Sequence, residues 1–362
     1  MKGKENFFNL KGIERILIRA VNWLGDAVMT TPAIGAIRGS FPEAHITLLA
    51  TPLVAELFSP HDWIDEVMVY DKNGQHSGLA GRLRLARELR AKRFDMAILL
   101  QNAFDAALIA WLSRIPVRMG YRSDGRGLLL THGCPLSLET KRLHHVEYYL
   151  KMLENFNITT TKNLLSLAVK DEEEQAIATT LLDAGIDPGD CLIGVNPGAT
   201  YGSAKRWYPD RFAAVVDELC QKWGAKAVIT GGPAEREIAD EIAATTKAKC
   251  LNTAGRTSVR GLMALIKRCD FFITNDSGPM HIAAAFNVPL VAIFGPTDHT
   301  TTSPFSDRAV VISQGTECAP CLKRECPTDH RCMTGVTVEN VVEAALKLRE
   351  KSESRGTTGQ RR

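Results

Sequence analysis

Short runs of aliphatic and β-branched residues alternate with amphipathic segments along most of the chain. In the first half, this pattern predicts strands at 13–19, 46–50, 67–70 and 96–100, separated by helices near 26–37, 52–58 and 79–92. In the second half, it predicts a helix at 171–184, strands at 192–195, 227–230, 271–274 and 290–294, and a last helix near 338–351. Alternating strands and helices indicate parallel sheets that are covered by helices on both faces.

The two series predict two domains, because 362 residues exceed what one hydrophobic core usually supports. We place an N-terminal Rossmann-like domain at 1–168 and a C-terminal Rossmann-like domain at 169–350. Residues 351–362 are polar and lack an apolar pattern, so we predict a disordered tail there. The predicted fold class is therefore α/β, with two doubly wound domains.

The topology also predicts where chemistry should lie. Open parallel sheets bind ligands beyond the carboxyl ends of their strands. Two such sheets that face each other would hold a ligand in the cleft between them, at the loops that follow strands. The residues of this sequence with unusual chemistry do occur in such loops.

The composition is that of an ordinary globular protein, with 45% hydrophobic and 23% charged residues. Residues 1–11 are polar and lack the apolar core of a signal peptide, so we expect a cytoplasmic protein. The net charge of +3 is unevenly distributed, since residues 72–126 hold 11 Lys and Arg against 4 Asp and Glu. Such a basic region suits phosphates or an anionic membrane, and it is also typical of a solvated helix face. We expect no nucleic-acid partner.

Asp26 ends the motif NWLGD at 22–26, which follows the first strand and opens a helix. Asp is a favoured helix N-cap, because its carboxylate accepts hydrogen bonds from free backbone amides. A carboxylate at the mouth of a cleft is also suited to accept a proton from an attacking hydroxyl. The motif alone leaves both roles open for Asp26.

The loop after the first strand of the second half, residues 196–209, is rich in small residues and contains Lys205. Small residues let backbone amides approach a phosphate, and a Lys adds a point charge. The loop lacks the ending of a Walker A motif, and an ordinary turn with a surface Lys is the alternative. A second glycine-rich turn, 231–235, opens a helix and ends in Glu235, a candidate ribose ligand.

The segment TNDSGPMH at 274–281 joins a predicted strand to a helix. Helix N-termini present free amides and the positive end of the helix dipole, which suits a diphosphate. Asp276 would repel a phosphate at close range, so we expect it either to cap the helix or to bond sugar hydroxyls. His281 lies one turn inside the helix, where a lone His is more often a packing residue than a catalytic one.

Four of the nine cysteines lie within fifteen positions, at Cys318, Cys321, Cys326 and Cys332, with His330 nearby. Thiolates at such spacing can hold a structural zinc, although the spacing does not match a ribbon with two CxxC pairs. A reduced local cluster and a disulfide are the alternatives. In each case the cysteines would stabilise a loop, and we assign them no catalytic role.

Taken together, three blocks resemble the signature motifs of the lipopolysaccharide heptosyltransferases of glycosyltransferase family 9. They are NWLGD at 22–26, PGA at 197–199 with KRW at 205–207, and NDSGPMH at 275–281. The blocks follow the family's order, the resemblance spans residues 13 to about 350, and they look more like type II than type I. Tyr208, which separates Trp207 from Pro209, departs from the commoner Trp-Pro form.

The resemblance implies a GT-B fold and an inverting transfer that requires no metal cofactor. It implies an ADP-heptose donor, held mainly by the C-terminal domain. The implied acceptor is heptosyl-Kdo2-lipid A, held by the N-terminal domain of a protein peripherally associated with the inner membrane. By position, Asp26 is similar to the family's catalytic base and Lys205 to its diphosphate-binding Lys. Asp276, Ser277, Gly278 and His281 are similar to the family's donor-binding turn, and we also assign Thr200, Glu235, Pro279 and Met280 to the donor site.

Three arginines of the basic N-terminal half, Arg118, Arg122 and Arg126, lie in a segment that we interpret as turn-rich. Planar guanidinium groups match carboxylates and phosphates, so we expect some of these arginines to bind Kdo carboxylates or lipid A phosphates. The alternative for each arginine is an exposed loop position that keeps the surface soluble and binds no ligand. We also assign Asn22 to the acceptor site.

Other functions share this architecture. A type I or type III heptosyltransferase would differ in its acceptor, and a nucleotide-sugar epimerase would form product from the donor alone. A non-catalytic scaffold would tolerate the loss of Asp26. Acceptor-dependent release of ADP that Asp26→Asn abolishes would identify a transferase.

Overall fold

The computed structural model describes residues 12–160 and 163–359, and the side chains only as far as 352. It divides the chain into two compact units, Met1–Ala168 and Val169–Arg362. Residues 1–11, on which the expectation about a signal peptide rests, lie outside the described residues, as do residues 360–362 of the predicted tail.

The described part of the first unit contains one sheet of six strands. The strands are β1 (Arg15–Arg19), β2 (His45–Ala50), β3 (Glu66–Val69), β4 (Met96–Leu99), β5 (Val117–Tyr121) and β6 (His132–Cys134). The helices are α1 (Leu24–Met29), α2 (Thr31–Ser40), α3 (Pro52–Leu57), α4 (Gly78–Ala91), α5 (Phe104–Leu112) and α6 (His145–Glu154). The strand order is β3-β2-β1-β4-β5-β6, and its pairings are parallel. The order reverses between β1 and β4, so the loops after these strands flank the crevice where such sheets bind ligands.

The described part of the second unit repeats this topology. Its strands are β7 (Leu192–Asn196), β8 (Lys226–Ile229), β9 (Cys250–Asn252), β10 (Phe271–Asn275), β11 (Leu290–Phe294) and β12 (Ala309–Ser313). Its helices are α7 (Asp171–Asp183), α8 (Pro209–Trp223), α9 (Arg236–Thr245), α10 (Val259–Arg268), α11 (Gly278–Ala285), α12 (His299–Thr302), α13 (Arg331–Thr334) and α14 (Val338–Gly359). The strand order is β12-β11-β10-β7-β8-β9, which reverses between β7 and β10. The prediction of two doubly wound α/β units is confirmed.

The central strands are apolar on both sides because helices cover both faces of each sheet. All four residues of β4 are buried, and the cluster that contains Ala97 and Leu99 also contains Leu85 and Leu89 of α4. Burial of each such leucine contributes about 2 kcal/mol relative to exposure. The hydrophobic runs in the sequence therefore correspond to the strands that carry the site loops.

The helix predicted at 26–37 is interrupted, and α1 and α2 meet at Thr30. Pro32 lacks the backbone N–H that would continue the helical ladder. The hydroxyl of Thr30 donates to the carbonyl oxygen of Ala27 at 2.7 Å, and that of Thr31 donates to Val28 at 2.8 Å. The side chains thus satisfy carbonyl groups at the break.

Two predictions of irregular structure are wrong in part. The segment of the three arginines is turn-rich only from Arg122 onward, because Val117–Tyr121 forms strand β5, which pairs with β4 and β6. Its hydrogen-bond partners come from strands distant in sequence, so the local pattern does not reveal it. The last helix does not end at 351 but continues to Gly359, because no proline interrupts it and each residue adds one helical hydrogen bond.

Candidate active site

Asp26 lies in the first turn of α1, immediately beyond β1. The N-cap of this helix is Trp23, so Asp26 is not the cap. Its Oδ1 atom lies 3.2 Å from Nδ1 of His145, the first residue of α6. The side chains of Asp26 and His145 remain 28% and 34% exposed. A carboxylate and an imidazole therefore form a solvent-accessible pair beside the point where the first sheet reverses its order.

Sequence reasoning missed His145, which is 119 residues from Asp26. Its ring lies near those of Tyr148 and Tyr149, with centroid distances of 6.1 and 6.4 Å. Burial and the negative charge of Asp26 raise the pKa of Tyr149 well above its usual value, so this phenol stays protonated. The available signal was the histidine pair at 144–145, placed just before an amphipathic helix.

Arg126 does not fit the predicted acceptor site. It is fully buried, and its Nε donates to the carbonyl oxygen of Tyr121 at 2.9 Å. Its other nitrogens donate to the side-chain oxygen of Asn102 at 2.7 Å and to the carbonyl of Gln101. Burial lowers the pKa of Arg126 to about 10. Arg126 connects the loops after β4 and β5 by hydrogen bonds. The prediction that it contacts an acceptor is therefore wrong, and its role is structural.

The other predicted acceptor residues differ in accessibility. Arg118 is partly buried, and its Nε donates to the carbonyl oxygen of Leu129 at 2.7 Å. Asn22 accepts a hydrogen bond of 2.9 Å from the guanidinium of Arg19, which is itself buried. Arg122, by contrast, is exposed. Arg122 is therefore the best placed of the three predicted arginines to meet a ligand.

In the second unit, Lys205 and Asp276 form an ion pair. Lys205 ends a short 3-10 turn after β7, and Asp276 follows β10 directly. The Nζ–Oδ2 distance is 2.5 Å, and the two side chains are 13% and 6% exposed. Thr297, in the loop after β11, donates its hydroxyl to the same Oδ2 at 2.6 Å. The N-cap of α11 is Ser277, so of the two roles considered for Asp276, capping this helix is wrong.

The N-terminus of α11 lies next to this pair in the chain. The hydroxyl oxygen of Ser277 accepts a hydrogen bond of 3.0 Å from the side-chain amide of Asn196, at the end of β7. Met280 and His281 are buried, so their side chains are not accessible to a ligand. Pro279 has no amide hydrogen, and the amide of His281 is positioned to donate to the N-cap carbonyl, which leaves Ser277, Gly278 and Met280 as the free backbone donors.

Thr200 lies in the loop after β7, and Glu235 approaches this loop from the turn after β8. Oε2 of Glu235 accepts the backbone N–H of Gly232 at 2.7 Å, and the residue is 9% exposed. A Cβ atom at Gly198 would overlap the Glu235 carboxylate, so a side chain there would displace this carboxylate from the loop. Thr200 is exposed on the same loop. The predicted donor residues thus follow β7, β8 and β10, which are adjacent in the sheet.

The four cysteines of the predicted zinc site lie in unlike environments. Cys318 is exposed, whereas Cys332 is buried in the hydrophobic core, and all nine cysteines are free thiols. Across residues 12–160 and 163–359, no group of three or more His, Cys, Asp or Glu side chains is placed to hold a metal ion. The spacing in sequence is therefore not matched by an assembled four-thiol site.

Comparison with known proteins identifies the family. The sequence model of glycosyltransferase family 9 (heptosyltransferase) matches residues 82–331. The chain belongs to glycosyltransferase family 9. The resemblance inferred from the three sequence blocks is confirmed, and the family 9 chain is a glycosyltransferase.

Relatives of this family 9 chain cover nearly its whole length. Lipopolysaccharide heptosyltransferase 2 of Escherichia coli K12 is 31% identical over 352 residues, which is 93% of this chain and 100% of that protein. A family 9 glycosyl transferase from Veillonella parvula DSM 2008 superposes with a TM-score of 0.87 at 29% identity, covering 95% of this chain and 99% of that one. The E. coli ADP-heptose lipopolysaccharide heptosyltransferase II gives a TM-score of 0.80 at 28% identity, covering 94% and 99%. The two-unit fold is thus that of family 9 enzymes.

Proposed function

We propose that this family 9 enzyme transfers heptose from ADP-L-glycero-D-manno-heptose to the first heptose of heptosyl-Kdo2-lipid A, as a type II lipopolysaccharide heptosyltransferase. The observation that carries the proposal is the Lys205–Asp276 pair beside the N-terminus of α11, where the second sheet reverses its order. A cation and free amides suit a diphosphate, and a carboxylate suits sugar hydroxyls. The relative named heptosyltransferase 2 covers 93% of this chain, which supports the choice of type II.

On the donor side, the departing ADP gains negative charge on its diphosphate. Lys205 has three N–H donors, one of which is directed to Asp276, so others remain for phosphate oxygens. The carboxylate of Asp276 is held in turn by Thr297, so the ammonium group needs little rearrangement during the reaction. We assign stabilisation of the leaving group to Lys205 and the amides of the first turn of α11.

On the acceptor side, Asp26 accepts the proton of the attacking hydroxyl. Its accessibility lets a substrate hydroxyl reach the carboxylate, and the contact with His145 fixes the carboxylate orientation. Inversion requires the hydroxyl to attack the anomeric carbon opposite the leaving ADP.

The central experiment measures ADP release from ADP-heptose with a series of acceptors. We expect release with heptosyl-Kdo2-lipid A and its loss in Asp26→Asn. A preference for Kdo2-lipid A would indicate type I, and a preference for an acceptor with two heptoses would indicate type III. Conversion of the donor without any acceptor would contradict transferase activity and favour an epimerase.

Arg122 provides a separate test of the acceptor site. Its exposed guanidinium should bind an anionic group of the acceptor, so Arg122→Ala should raise the acceptor KM and leave the donor KM unchanged. Lys247→Ala, which removes an exposed cation of the second unit that belongs to neither proposed site, is the control. Equal changes in both KM values for Arg122→Ala would remove this assignment.

We further propose peripheral association with the cytoplasmic leaflet of the inner membrane through the outer sides of α4 and α5, the α4/α5 surface. No helix in the described part of the chain is long and apolar enough to cross a bilayer. The inner sides of α4 and α5 share one core cluster, and large apolar side chains are exposed at Leu79, Leu83, Phe104 and Trp111. Exposed arginines accompany them at Arg84, Arg87 and Arg90. Apolar and cationic groups together favour an anionic bilayer.

Sedimentation with lipid vesicles tests this surface. The protein should bind vesicles that contain phosphatidylglycerol more strongly than vesicles of phosphatidylcholine alone. The double variant Leu79→Ser with Trp111→Ser should lose most of this binding and keep activity on a water-soluble truncated acceptor. Leu182→Ser, which alters an exposed leucine on the acidic helix α7, is the matched control. Equal vesicle binding by the double variant and the control would contradict the proposal that the α4/α5 surface binds the membrane.

A further inference from the structure

The cysteine-rich segment 316–332 packs against the turn that carries Lys205. The carbonyl oxygen of Arg324 accepts the backbone N–H of Ala204 at 2.9 Å. The hydroxyl of Tyr201 donates to the carbonyl of Leu322 at 2.8 Å. Both ends of the turn before Lys205 are therefore hydrogen-bonded to backbone of this segment.

His330 adds a side-chain contact to the same turn. Its Nε2 atom lies 2.7 Å from the carbonyl oxygen of Ala204, and its Nδ1 lies 3.2 Å from the hydroxyl of Tyr208. A carbonyl oxygen can only accept, so Nε2 carries the hydrogen and Nδ1 of the neutral ring accepts from Tyr208. The imidazole thus bridges residues on either side of Lys205, in one defined tautomer.

His330 is itself held from the core of the second unit. It precedes α13, and its carbonyl oxygen accepts the backbone N–H groups of Met333 and Thr334 at 2.8 and 2.9 Å. Cys332 and Met333 belong to the hydrophobic core cluster of this unit. The position of the ring is therefore fixed by core packing rather than by the exposed loop.

The other end of the segment reaches the loop that holds Asp276. The backbone N–H of Leu322 donates to the carbonyl of Pro296 at 2.8 Å, and the next residue, Thr297, donates to Asp276. The segment consequently joins the two loops that converge on the Lys205–Asp276 pair. Its cysteines are not needed for any of these contacts.

We propose that His330 is a positioning residue for Lys205, and that segment 316–332 braces the Lys205 turn for binding the donor diphosphate. The inference rests on the proposed function, since it takes Lys205 as the diphosphate ligand. Without the hydrogen bond from Nε2, the turn gains freedom that must be lost again when the donor binds.

The test compares His330→Ala and His330→Gln by calorimetric titration with ADP and by steady-state kinetics. His330→Ala should raise the Kd for ADP and the donor KM about two- to tenfold, the effect of one hydrogen bond, with the acceptor KM unchanged. His330→Gln should recover part of the loss, because its amide can place an N–H near the position of Nε2. A lowered Tm with unchanged ADP affinity in His330→Ala would reduce His330 to a folding role and overturn the inference.

Gly202 gives an independent variant that leaves His330 in place. A Cβ atom at this position would overlap the carbonyl oxygen of Arg324, so Gly202→Ala should separate the turn from the brace and weaken ADP binding as well. Gly315→Ala is the matched control, since a Cβ atom there meets nothing within 4 Å. Equal ADP affinities for the two variants would contradict the brace.

Lys205→Ala, titrated in parallel, separates the role of Lys205 in ADP binding from the role of the brace. Weaker ADP binding in Lys205→Ala but not in His330→Ala would overturn the brace and leave the proposed function intact. Unchanged ADP binding in Lys205→Ala would overturn the role of Lys205 and the brace with it.

Discussion

The two units share one strand order, but the first has a partly exposed carboxylate at its candidate site and the second has a largely buried lysine. In the first unit, Asp26 follows β1 and forms a partly exposed pair with His145. In the second, Lys205 follows β7 and forms a largely buried pair with Asp276. The topology determines where charged groups gather, and their burial determines what they can do. An accessible carboxylate can exchange a proton with a substrate, whereas a buried pair is fixed and can stabilise charge without rearrangement.

The largest expected effect is the loss of turnover when the accessible carboxylate, Asp26, is replaced. Asp26→Asn should lower kcat about 10³-fold, because the amide cannot accept the proton of the attacking hydroxyl. The Tm should change little, since Asp26 is not the cap of α1 and the substitution preserves volume. Kinetics with saturating donor and acceptor, together with thermal denaturation, check both parts. A variant that keeps a tenth of the activity would exclude Asp26 as the base.

On the buried side, Lys205→Ala should reduce stability as well as donor binding. It leaves the carboxylate of Asp276 buried without its cation, which costs about 3 kcal/mol. The double variant Lys205→Met with Asp276→Leu should recover most of this stability, but not ADP binding. Urea denaturation and ADP titration separate the two effects. Equal stability of the single variant and the wild type would show that the pair is effectively solvated.

A smaller effect is expected for the partner of the base. His145→Gln should lower kcat about tenfold, the value of one hydrogen bond to a charged group. The KM for ADP-heptose should not change, because the proposed donor residues belong to the second unit. A loss as large as that of Asp26→Asn would mean that His145 itself carries the proton.

The smallest effect concerns an ion pair away from both sites. The Arg260 guanidinium, whose Nη2 lies 2.6 Å from Oε2 of Glu173, lowers the pKa of this carboxyl below its usual value. The ion pair therefore contributes its full stabilisation above about 4.3, the pKa of Glu173 in the unfolded chain. This stabilisation is lost as the pH falls through the lower pKa of Glu173 in the folded protein. Glu173→Gln should cost about 1 kcal/mol near neutral pH and progressively less at lower pH. Urea denaturation at several pH values checks this, and a pH-independent difference would contradict it.

The fold was largely predictable because the central strands are short apolar runs buried on both faces. The strands that the pattern missed are β5, β6, β9 and β12, which lie towards the edges of the sheets. β6 and β9 have three residues each, and β12 is only partly buried, so their apolar signal is weak. Their pairing depends on neighbours that are distant in sequence.

The sequence predicted single residues of the candidate site, but not how they pair. Motifs and strand-end loops identified Asp26, Lys205 and Asp276, yet the last two are separated by 71 residues, and nothing local indicates their contact. Thr297 and His145 were missed for the same reason. The strand-end rule did point to the loop that carries Thr297, since it follows β11.

The buried position of Arg126 has a consequence for mutational screening. A lysine there could not make three divergent hydrogen bonds with a planar head, so even Arg126→Lys should damage the loops after β4 and β5. A screen that scores turnover alone would rank this residue with the substrate ligands. Protease sensitivity, which reports loosened loops, would separate it from Arg122.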